Sequence, residues 1–200
     1  MPRVTAQARE ANRRALLDAG AEAFAAHGLA GARIDEISLA AGLAKGTVYN
    51  HFESKDALFE AILREACAAA DAGADRIPAS GPAEARLAAF VAVNLEWASE
   101  HPALARVFAR ELLAGDDATR ALVLGASAHC IGVVASILEE GARAGELRRD
   151  VPFEPLAVNF LCHANVLVGQ SWASGWPPPP ELPGTVASLF VRGLLSSPAS

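Results

Sequence analysis

Residues 34–55 constrain the fold of this chain more than any other stretch, because they combine two short apolar stripes with a glycine between them. Apolar residues recur at helical spacing in the first stripe: Ile34, Ile37 and Ala41. Gly42 follows, and glycine ends helices because it enters the left-handed backbone region without a side-chain clash. A second helix is predicted over residues 45–52, with Val48 and Phe52 on its buried side. The stretch therefore predicts a helix-turn-helix.

The outer side of the second predicted helix carries side chains that suit DNA. Asparagine can bond an adenine edge, threonine can contact a thymine methyl group, and lysine can reach guanine or phosphate. A tyrosine hydroxyl or a further lysine can hold the DNA backbone and set the register. The residues concerned are Lys45, Thr47, Tyr49, Asn50, His51 and Lys55. A solvated helix face on a plain three-helix core has the same spacing, so spacing alone leaves DNA binding open.

A resemblance favours the DNA-binding interpretation. The pattern GLAKGTVYNHFESKDAL, at residues 42–58, resembles the signature of the tetracycline-repressor-like (TetR) family of transcription regulators, and FAAHG, at residues 24–28, resembles the end of that family's first helix. The resemblance covers about the first sixty residues and implies that the six side chains named above face DNA. The chain departs from the family at Ala32, Arg33 and Ala44, where Thr or Ser usually caps a helix. Arg33 is a hypothesised phosphate contact instead.

The formal net charge of −6 is unevenly distributed along the chain. Residues 1–55 hold seven Lys and Arg against six Asp and Glu, whereas residues 56–200 hold ten against seventeen. The two lysines of the chain, Lys45 and Lys55, both lie in the helix-turn-helix stretch. An acidic body behind a mildly basic head would discourage docking on DNA in the wrong orientation.

Composition limits the cellular setting. Hydrophobic residues make up 52% of the 200 positions, yet no uninterrupted apolar run has the length of a membrane span. Residues 1–14 are polar and basic, unlike a signal peptide, so we expect a cytoplasmic protein without a membrane partner. The three cysteines are scattered without a C-x-x-C pattern, which fits a reducing compartment and predicts neither a metal site nor a cofactor.

Helical periodicity continues to the end of the chain and predicts an all-α protein with two domains. Residues 1–55 form the predicted helix-turn-helix DNA-binding domain, and residues 56–200 form a helical domain for effector binding and dimerisation. A helix that starts at Ser54 belongs to both domains. Another single helix is predicted from about Asp117 to about Arg143, and its nearly continuous apolar surface predicts a central, buried position.

The last two predicted helices carry more apolar surface than one subunit needs, so we expect a homodimer through them. Two subunits are also expected because one short recognition helix reads too few base pairs for genomic specificity. The apolar residues concerned are Phe160, Leu161, Leu167, Leu189, Phe190 and Leu194.

Polar side chains on otherwise apolar helix faces suggest a ligand cavity in the second domain. Each would cost a few kcal/mol if it were buried without a partner. These groups therefore either bond to one another and to backbone carbonyls, or line a cavity together with nearby aromatic residues. The TetR resemblance implies such an effector cavity. The candidate lining residues are Phe90, Asn94, Trp97, Phe108, Glu111, His129, His163 and Trp172.

The favoured function is a DNA-binding transcription regulator, specifically a repressor that a small, mainly apolar effector releases from its operator. One alternative is an all-helical small-molecule-binding protein, and another is an enzyme; in both the helix-turn-helix would be only a scaffold. Catalytic motifs are weak, because residues 125–129 place His129 where a nucleophile elbow has glycine. No phosphate-binding loop, H-E-x-x-H or G-x-G-x-x-G pattern is present, so we predict no enzyme.

Overall fold

The computed structural model describes residues 6–173 and 178–195, except for the side chains of residues 113–114 and 168–173. Over this part of the chain the structure is helical, and the one antiparallel pairing, between Leu147 and Leu195, is an isolated bridge. The α-helices in chain order are α1 (Ala6–Gly31), α2 (Ile34–Ala40), α3 (Lys55–Ala74), α4 (Ala83–Glu100), α5 (Pro102–Ala114), α6 (Asp117–Ala126), α7 (Ala128–Arg143), α8 (Phe153–Ala173) and α9 (Leu182–Arg192). The all-α prediction is confirmed.

The helix-turn-helix forms where the sequence predicts it, but its second half is shorter than predicted. Gly42 has a φ of 72° and ends the first helix as expected. A second glycine, Gly46, has a φ of 78°, so a helix that starts at residue 45 cannot continue through it. Only a short 3-10 helix, Thr47–Asn50, follows before the chain turns into α3. We call residues 45–52 the recognition segment.

The first core packs α1, α2, α3 and the recognition segment together. The rings of Phe24 and Phe59 meet edge to face with centroids 5.3 Å apart, and Val48 is fully buried beside them. The N-terminus of α3 is capped as predicted, because the Ser54 hydroxyl accepts a 3.0 Å hydrogen bond from the backbone N–H of Ala57. The start of α3 therefore packs beneath the recognition segment.

This first core extends beyond the predicted boundary at residue 55. Trp97 of α4 and Phe108 of α5 belong to the same buried cluster as Leu58 and Ile62 of α3. A second core lies between α4, α7, α8 and α9, where the Phe160 ring packs against two other rings. Helix α3 contacts both cores, so residues 1–55 do not pack as a separate body, and the division at residue 55 stays a prediction.

The prediction of a single helix from about Asp117 to about Arg143 is wrong, because the helix is interrupted at Ser127. Its backbone leaves helical geometry, with φ −91° and ψ 8°, while its hydroxyl donates a 2.9 Å hydrogen bond to the carbonyl oxygen of Val123. Helices α6 and α7 consequently meet at 65°, and α6 exposes Leu122 rather than lying buried at the centre. Among the described helices none is long and apolar enough by itself to span a membrane, although the bent pair α6 and α7 together passes that test of length and composition.

Candidate DNA interface and effector cavity

The recognition segment turns its polar side chains outward because its apolar ones are anchored. Val48 and Phe52 are buried against α1 and α3, which leaves Tyr49 59% exposed and Asn50 exposed. Thr47 is half-buried at the start of the same turn. This outward face offers one amide and two hydroxyl groups, which together can both donate to and accept from base edges or phosphates.

The predicted phosphate contacts Arg33 and Lys45 lie at the same surface and are loosely held. The Lys45 Nζ is 3.8 Å from a carboxylate oxygen of Asp35, and the Arg33 Nε is 3.5 Å from one of Glu36. All four side chains are at least half exposed, so each ion pair is worth less than about 1 kcal/mol. Both cations are therefore free to exchange these carboxylates for phosphate oxygens.

Lys55 is placed differently from the sequence-based expectation. Its Nζ donates to the backbone carbonyl oxygens of Ala30, at 3.1 Å, and Ala32, at 3.3 Å. These carbonyls lie at and just beyond the end of α1, past the kink at Gly28, so the two charge-assisted hydrogen bonds hold this end of the chain against α3. The structure thus gives Lys55 a role in joining α1 to α3, which the residue pattern of the helix-turn-helix alone did not indicate.

His51 also differs from its exposed neighbours, because it is half-buried next to Phe52. Burial lowers the pKa of His51 below its ordinary value, and the positive charges of Arg9 and Arg13 lower it further. The imidazole is therefore mainly neutral near pH 7, when one ring nitrogen donates and the other accepts.

A narrow cavity lies where α3, α4, α5 and α8 meet the junction between α6 and α7. Its free volume of about 20 Å³ has room for about one water molecule. The Trp97 and Phe108 rings meet edge to face at its wall, with centroids 6.1 Å apart. Its lining consists of Cys67, Ala70, Asp71, Asn94, Trp97, Phe108, Ala126, Ser127, Cys130, Leu161 and Asn165.

Four of the predicted effector residues lie at or beside this cavity. Asn94, Trp97 and Phe108 line it, and Phe90 lines an adjoining cleft that also contacts Asn94 and Trp97. Sequence reasoning missed five polar or thiol groups of the lining: Cys67, Asp71, Ser127, Cys130 and Asn165. Each of them interrupts an apolar stretch, so the sequence marks them as polar residues. The sequence does not show which helix face meets the cavity, so it could not assign them to the lining.

Three predicted effector residues lie elsewhere in the described structure. Glu111 is buried, but its carboxylate accepts a 3.2 Å hydrogen bond from the backbone N–H of Leu29 at the end of α1. His129 is exposed at the start of α7, because the break at Ser127 changes the face that this position presents. His163 is exposed on α8, with its Nδ1 3.0 Å from the carbonyl oxygen of Asn159. The side chain of Trp172 lies outside the described residues.

The thiols of the cavity are unreactive in character. Burial, followed by the negative charge of Asp71, raises the pKa of Cys130 to about 12 and that of Cys67 to about 11. Both groups are therefore neutral thiols at pH 7, and the Cys130 Sγ lies 3.7 Å from a carboxylate oxygen of Asp71 as a weak donor. This arrangement suits a binding cavity better than a nucleophilic site.

A second, larger groove is less suited to bury a ligand. It lies between α1, α3 and the junction of α4 with α5, with a free volume of about 230 Å³. Its rim is charged and open to solvent, and Arg14 there already pairs with Asp18 and Glu65. The narrow cavity has the more apolar and enclosed lining that ligand sites usually have.

Comparison with known proteins covers both halves of the chain. The model of the family described as bacterial regulatory proteins, tetR family, matches residues 16–62. A second model, described as tetracyclin repressor-like, C-terminal domain, matches residues 80–169. The first match contains the whole helix-turn-helix, and the second contains most of the helices that line the cavity.

Relatives of known function are transcriptional regulators. The transcriptional repressor DhaR of Mycobacterium sp. (strain GP1) is 30% identical over 156 residues, which cover 77% of this chain and 78% of DhaR. The transcriptional repressor KstR2 of Rhodococcus jostii (strain RHA1) is 31% identical over 150 residues, covering 73% and 72% of the two chains. These relatives confirm the expectation of a regulator over an enzyme.

The fold has a close counterpart among solved structures. The transcriptional regulator FadR from Bacillus subtilis, solved in complex with stearoyl-CoA, superposes with a TM-score of 0.75 at 20% sequence identity. The superposition covers 90% of this chain and 98% of that one. With a helix-turn-helix, a helical second domain and relatives of this identity and coverage, the chain belongs to the TetR family of DNA-binding transcriptional regulators.

Proposed function

We propose that this regulator is a repressor that binds operator DNA through its recognition segment and leaves it when a small, mainly apolar effector enters the narrow cavity. The observation that carries the proposal is the position of α3. Its first turns are buried beneath the recognition segment, and Cys67, Ala70 and Asp71 near its other end line the cavity. One rigid element therefore touches both sites.

The DNA contact is assigned to the outward face of the recognition segment and its two loosely paired cations. Asn50 and Thr47 are proposed to read base edges, while Tyr49, Lys45 and Arg33 hold phosphates. His51 supplies a further hydrogen bond from the same surface. Lys55 takes part indirectly, by holding the end of α1 against the start of α3.

The dimer is assigned to α8 and α9, as in the sequence-based expectation, but with different key residues. Phe160, Leu161 and Leu194 are buried within the subunit's own second core, so they are not the surface that meets a partner. Leu189 on α9 is 68% exposed, and Leu195 just beyond it is 54% exposed. Exposed leucines of this kind on the terminal helices support a homodimer that reads two half-sites.

Release from DNA is proposed to follow a shift of α3 and α5. The cavity is almost filled, so a ligand larger than a water molecule must move its walls. Movement of α3 changes the separation of the two recognition segments in a dimer, and DNA accepts only half-site separations near whole helical turns. The Bacillus subtilis FadR complex with stearoyl-CoA supports the view that a protein of this fold takes a ligand.

A binding selection on random duplexes tests the DNA part of the proposal. The full chain is incubated with a library of random DNA, and bound molecules are recovered by mobility shift and sequenced. We expect a selected sequence with two-fold symmetry, and we expect Asn50→Ala to weaken its binding by about 1–3 kcal/mol. Glu139→Ala, an exposed change on α7, is the control and should leave binding unchanged. Failure to select any sequence would favour the alternative in which the helix-turn-helix is a scaffold for a small-molecule-binding protein.

A further inference from the structure

We propose that the narrow cavity selects an effector whose polar end is uncharged or cationic and donates hydrogen bonds, as alcohols, amides and amines do, and that it rejects carboxylates and phosphates. This inference rests on the proposed function, because it describes the ligand of the same cavity. It follows from the hydrogen-bonding capacity of the lining.

Each of the two asparagines of the lining uses one amide N–H within its own helix and keeps its amide oxygen as an acceptor. The Asn94 Nδ2 donates to the carbonyl oxygen of Phe90 at 2.9 Å, and the Asn165 Nδ2 donates to that of Leu161 at 3.0 Å. A carbonyl oxygen can only accept, so the amide nitrogen of each asparagine must face its own helix. The amide oxygen and the second N–H of each asparagine remain for a ligand, so a ligand that both donates and accepts hydrogen bonds, such as an alcohol or an amide, fits them.

The remaining polar groups of the lining add further acceptor capacity. The Ser127 hydroxyl donates its hydrogen to the carbonyl oxygen of Val123 and keeps its lone pairs. Within the described part of the chain the Asp71 carboxylate accepts only a weak 3.7 Å contact from the Cys130 thiol, which leaves most of its lone pairs available to a ligand. A ligand with N–H or O–H groups can donate to these acceptors. An anionic ligand would instead be repelled, because these oxygen atoms carry partial or full negative charge.

Trp97 supplies a second, independent indication of a ligand. The residue is only 8% exposed, and its indole N–H has no hydrogen-bond partner among the described residues. A buried donor without a partner destabilises the protein by about 1–3 kcal/mol. A ligand that places an acceptor atom beside the indole N–H removes this penalty, which favours its binding. A hydroxyl or an amide provides such an acceptor and also donates to the asparagine oxygens or to Asp71.

Positive charge is missing from the cavity wall. None of the described lining residues is Lys, Arg or His, and residues 168–177, which include the undescribed part of α8, contain none of these in the sequence. The Cys67 and Cys130 thiols, whose pKa values burial raises to about 11 and about 12, stay neutral. A carboxylate or phosphate would lose its hydration and gain no cation in exchange, which is a large cost.

Three probes of one shape test the inference: benzyl alcohol, benzylamine and benzoate. Each is titrated into the full chain, and binding is measured by the shift in Tm and by calorimetry. We expect benzyl alcohol and the ammonium ion of benzylamine to raise Tm. We also expect benzylamine to bind at least about tenfold more tightly than benzoate, because one nearby carboxylate attracts the ammonium ion and repels the benzoate anion. Stearoyl-CoA, a phosphate-bearing comparison, is expected not to bind.

Two variants and one matched control place the binding in this cavity. Asp71→Asn should remove the advantage of benzylamine over benzyl alcohol while leaving the alcohol bound, and Trp97→Phe should weaken benzyl alcohol by removing the indole donor. Asp75→Asn, an exposed carboxylate change just beyond the same helix α3, should alter neither affinity. If a cavity variant does not fold, the comparison of the three probes on the unmodified chain still decides the point.

The inference is overturned if benzoate or stearoyl-CoA binds as tightly as benzylamine, or if none of the three small probes shifts Tm at millimolar concentration. An equal response of Asp71→Asn and the unmodified chain to benzylamine would overturn it as well. None of these results bears on operator binding. Conversely, a DNA selection that yields no operator would remove the proposed function and leave the measured ligand preference intact, so the two failures are distinguishable.

Discussion

At the scale of single residues, the two lysines of this chain differ in the groups that they contact. Lys45 is exposed and makes only a long 3.8 Å contact with Asp35, so it is available to DNA. Lys55 is bound to two carbonyl oxygens at the end of α1. Lysine spacing in a helix-turn-helix stretch therefore does not by itself identify phosphate contacts, because backbone carbonyl oxygens near a helix end can bind the same side chain.

A matched pair of substitutions separates these tasks. Lys45→Ala should weaken binding to all DNA sequences and reduce the salt dependence by about one unit of slope, because one phosphate contact is lost. Lys55→Ala should instead lower the free energy of unfolding by about 1 kcal/mol, because its hydrogen bonds to the Ala30 and Ala32 carbonyl oxygens are lost. Urea unfolding and a salt titration of DNA binding measure the two effects. An unchanged stability in Lys55→Ala, together with the loss of salt slope, would return Lys55 to the DNA contacts.

We expect His51 to strengthen operator binding as the pH falls. Burial and two nearby arginines lower the pKa of His51 in the free protein, whereas DNA phosphates would raise it. Proton uptake then accompanies DNA binding, so operator affinity should rise as pH falls below about 6.5 towards the lowered pKa. His51→Gln should remove this rise in a mobility-shift series. A rise of the same size in His51→Gln would assign the effect to other groups.

At the scale of elements, α5 joins the effector cavity to the first helix of the DNA-binding part. Phe108 lines the cavity from one side of α5. The other side holds α1 through three polar contacts, in which Arg106 pairs with Glu22, Arg110 donates to the Ala26 carbonyl, and Glu111 accepts from Leu29. The last contact lies next to Gly28, where a φ of 70° interrupts α1 and exposes the N–H that Glu111 binds.

This connection predicts a combined stability and response phenotype. Glu111→Ala leaves the Leu29 N–H without its partner, so the free energy of unfolding should fall by about 1–3 kcal/mol. The variant should also show a smaller loss of operator affinity when a cavity ligand such as benzylamine is present, because one of the three polar contacts through which a shift of α5 reaches α1 is lost. Glu139→Ala on α7 is the matched control. A full ligand response in a destabilised Glu111→Ala protein would show that the contact is only structural.

Sequence patterns predict those elements whose signals are local. The turn at Gly42, the Ser54 cap and the Asp116 cap, which accepts from the Thr119 N–H at 2.8 Å, were all predictable from adjacent residues. The break at Ser127 was not, because serine is tolerated inside helices, and the hydrogen bond from its hydroxyl to the Val123 carbonyl oxygen has no signal in the sequence. That single bend moved His129 off the predicted cavity face. Composition identified polar groups on apolar helices, but tertiary packing decided which of them share a cavity.

At the scale of the whole molecule, we expect a dimer, because one short recognition segment reads too few base pairs for specificity. Leu189→Glu places a charge on the most exposed leucine of α9 and should dissociate the dimer without unfolding the subunit. Leu194→Glu, by contrast, should unfold the subunit, because Leu194 is buried in the second core. Light scattering and circular dichroism distinguish the two results. A Leu189→Glu protein that remains dimeric would move the interface elsewhere.

Coupling between the cavity and the operator is tested by a linkage measurement. The affinity of benzylamine is measured by calorimetry on the free dimer and again on the dimer saturated with its selected operator. Thermodynamic reciprocity requires operator DNA to lower benzylamine affinity by the same factor by which benzylamine lowers operator affinity. We predict such a matched decrease. Equal benzylamine affinity for free and operator-bound protein would contradict the account.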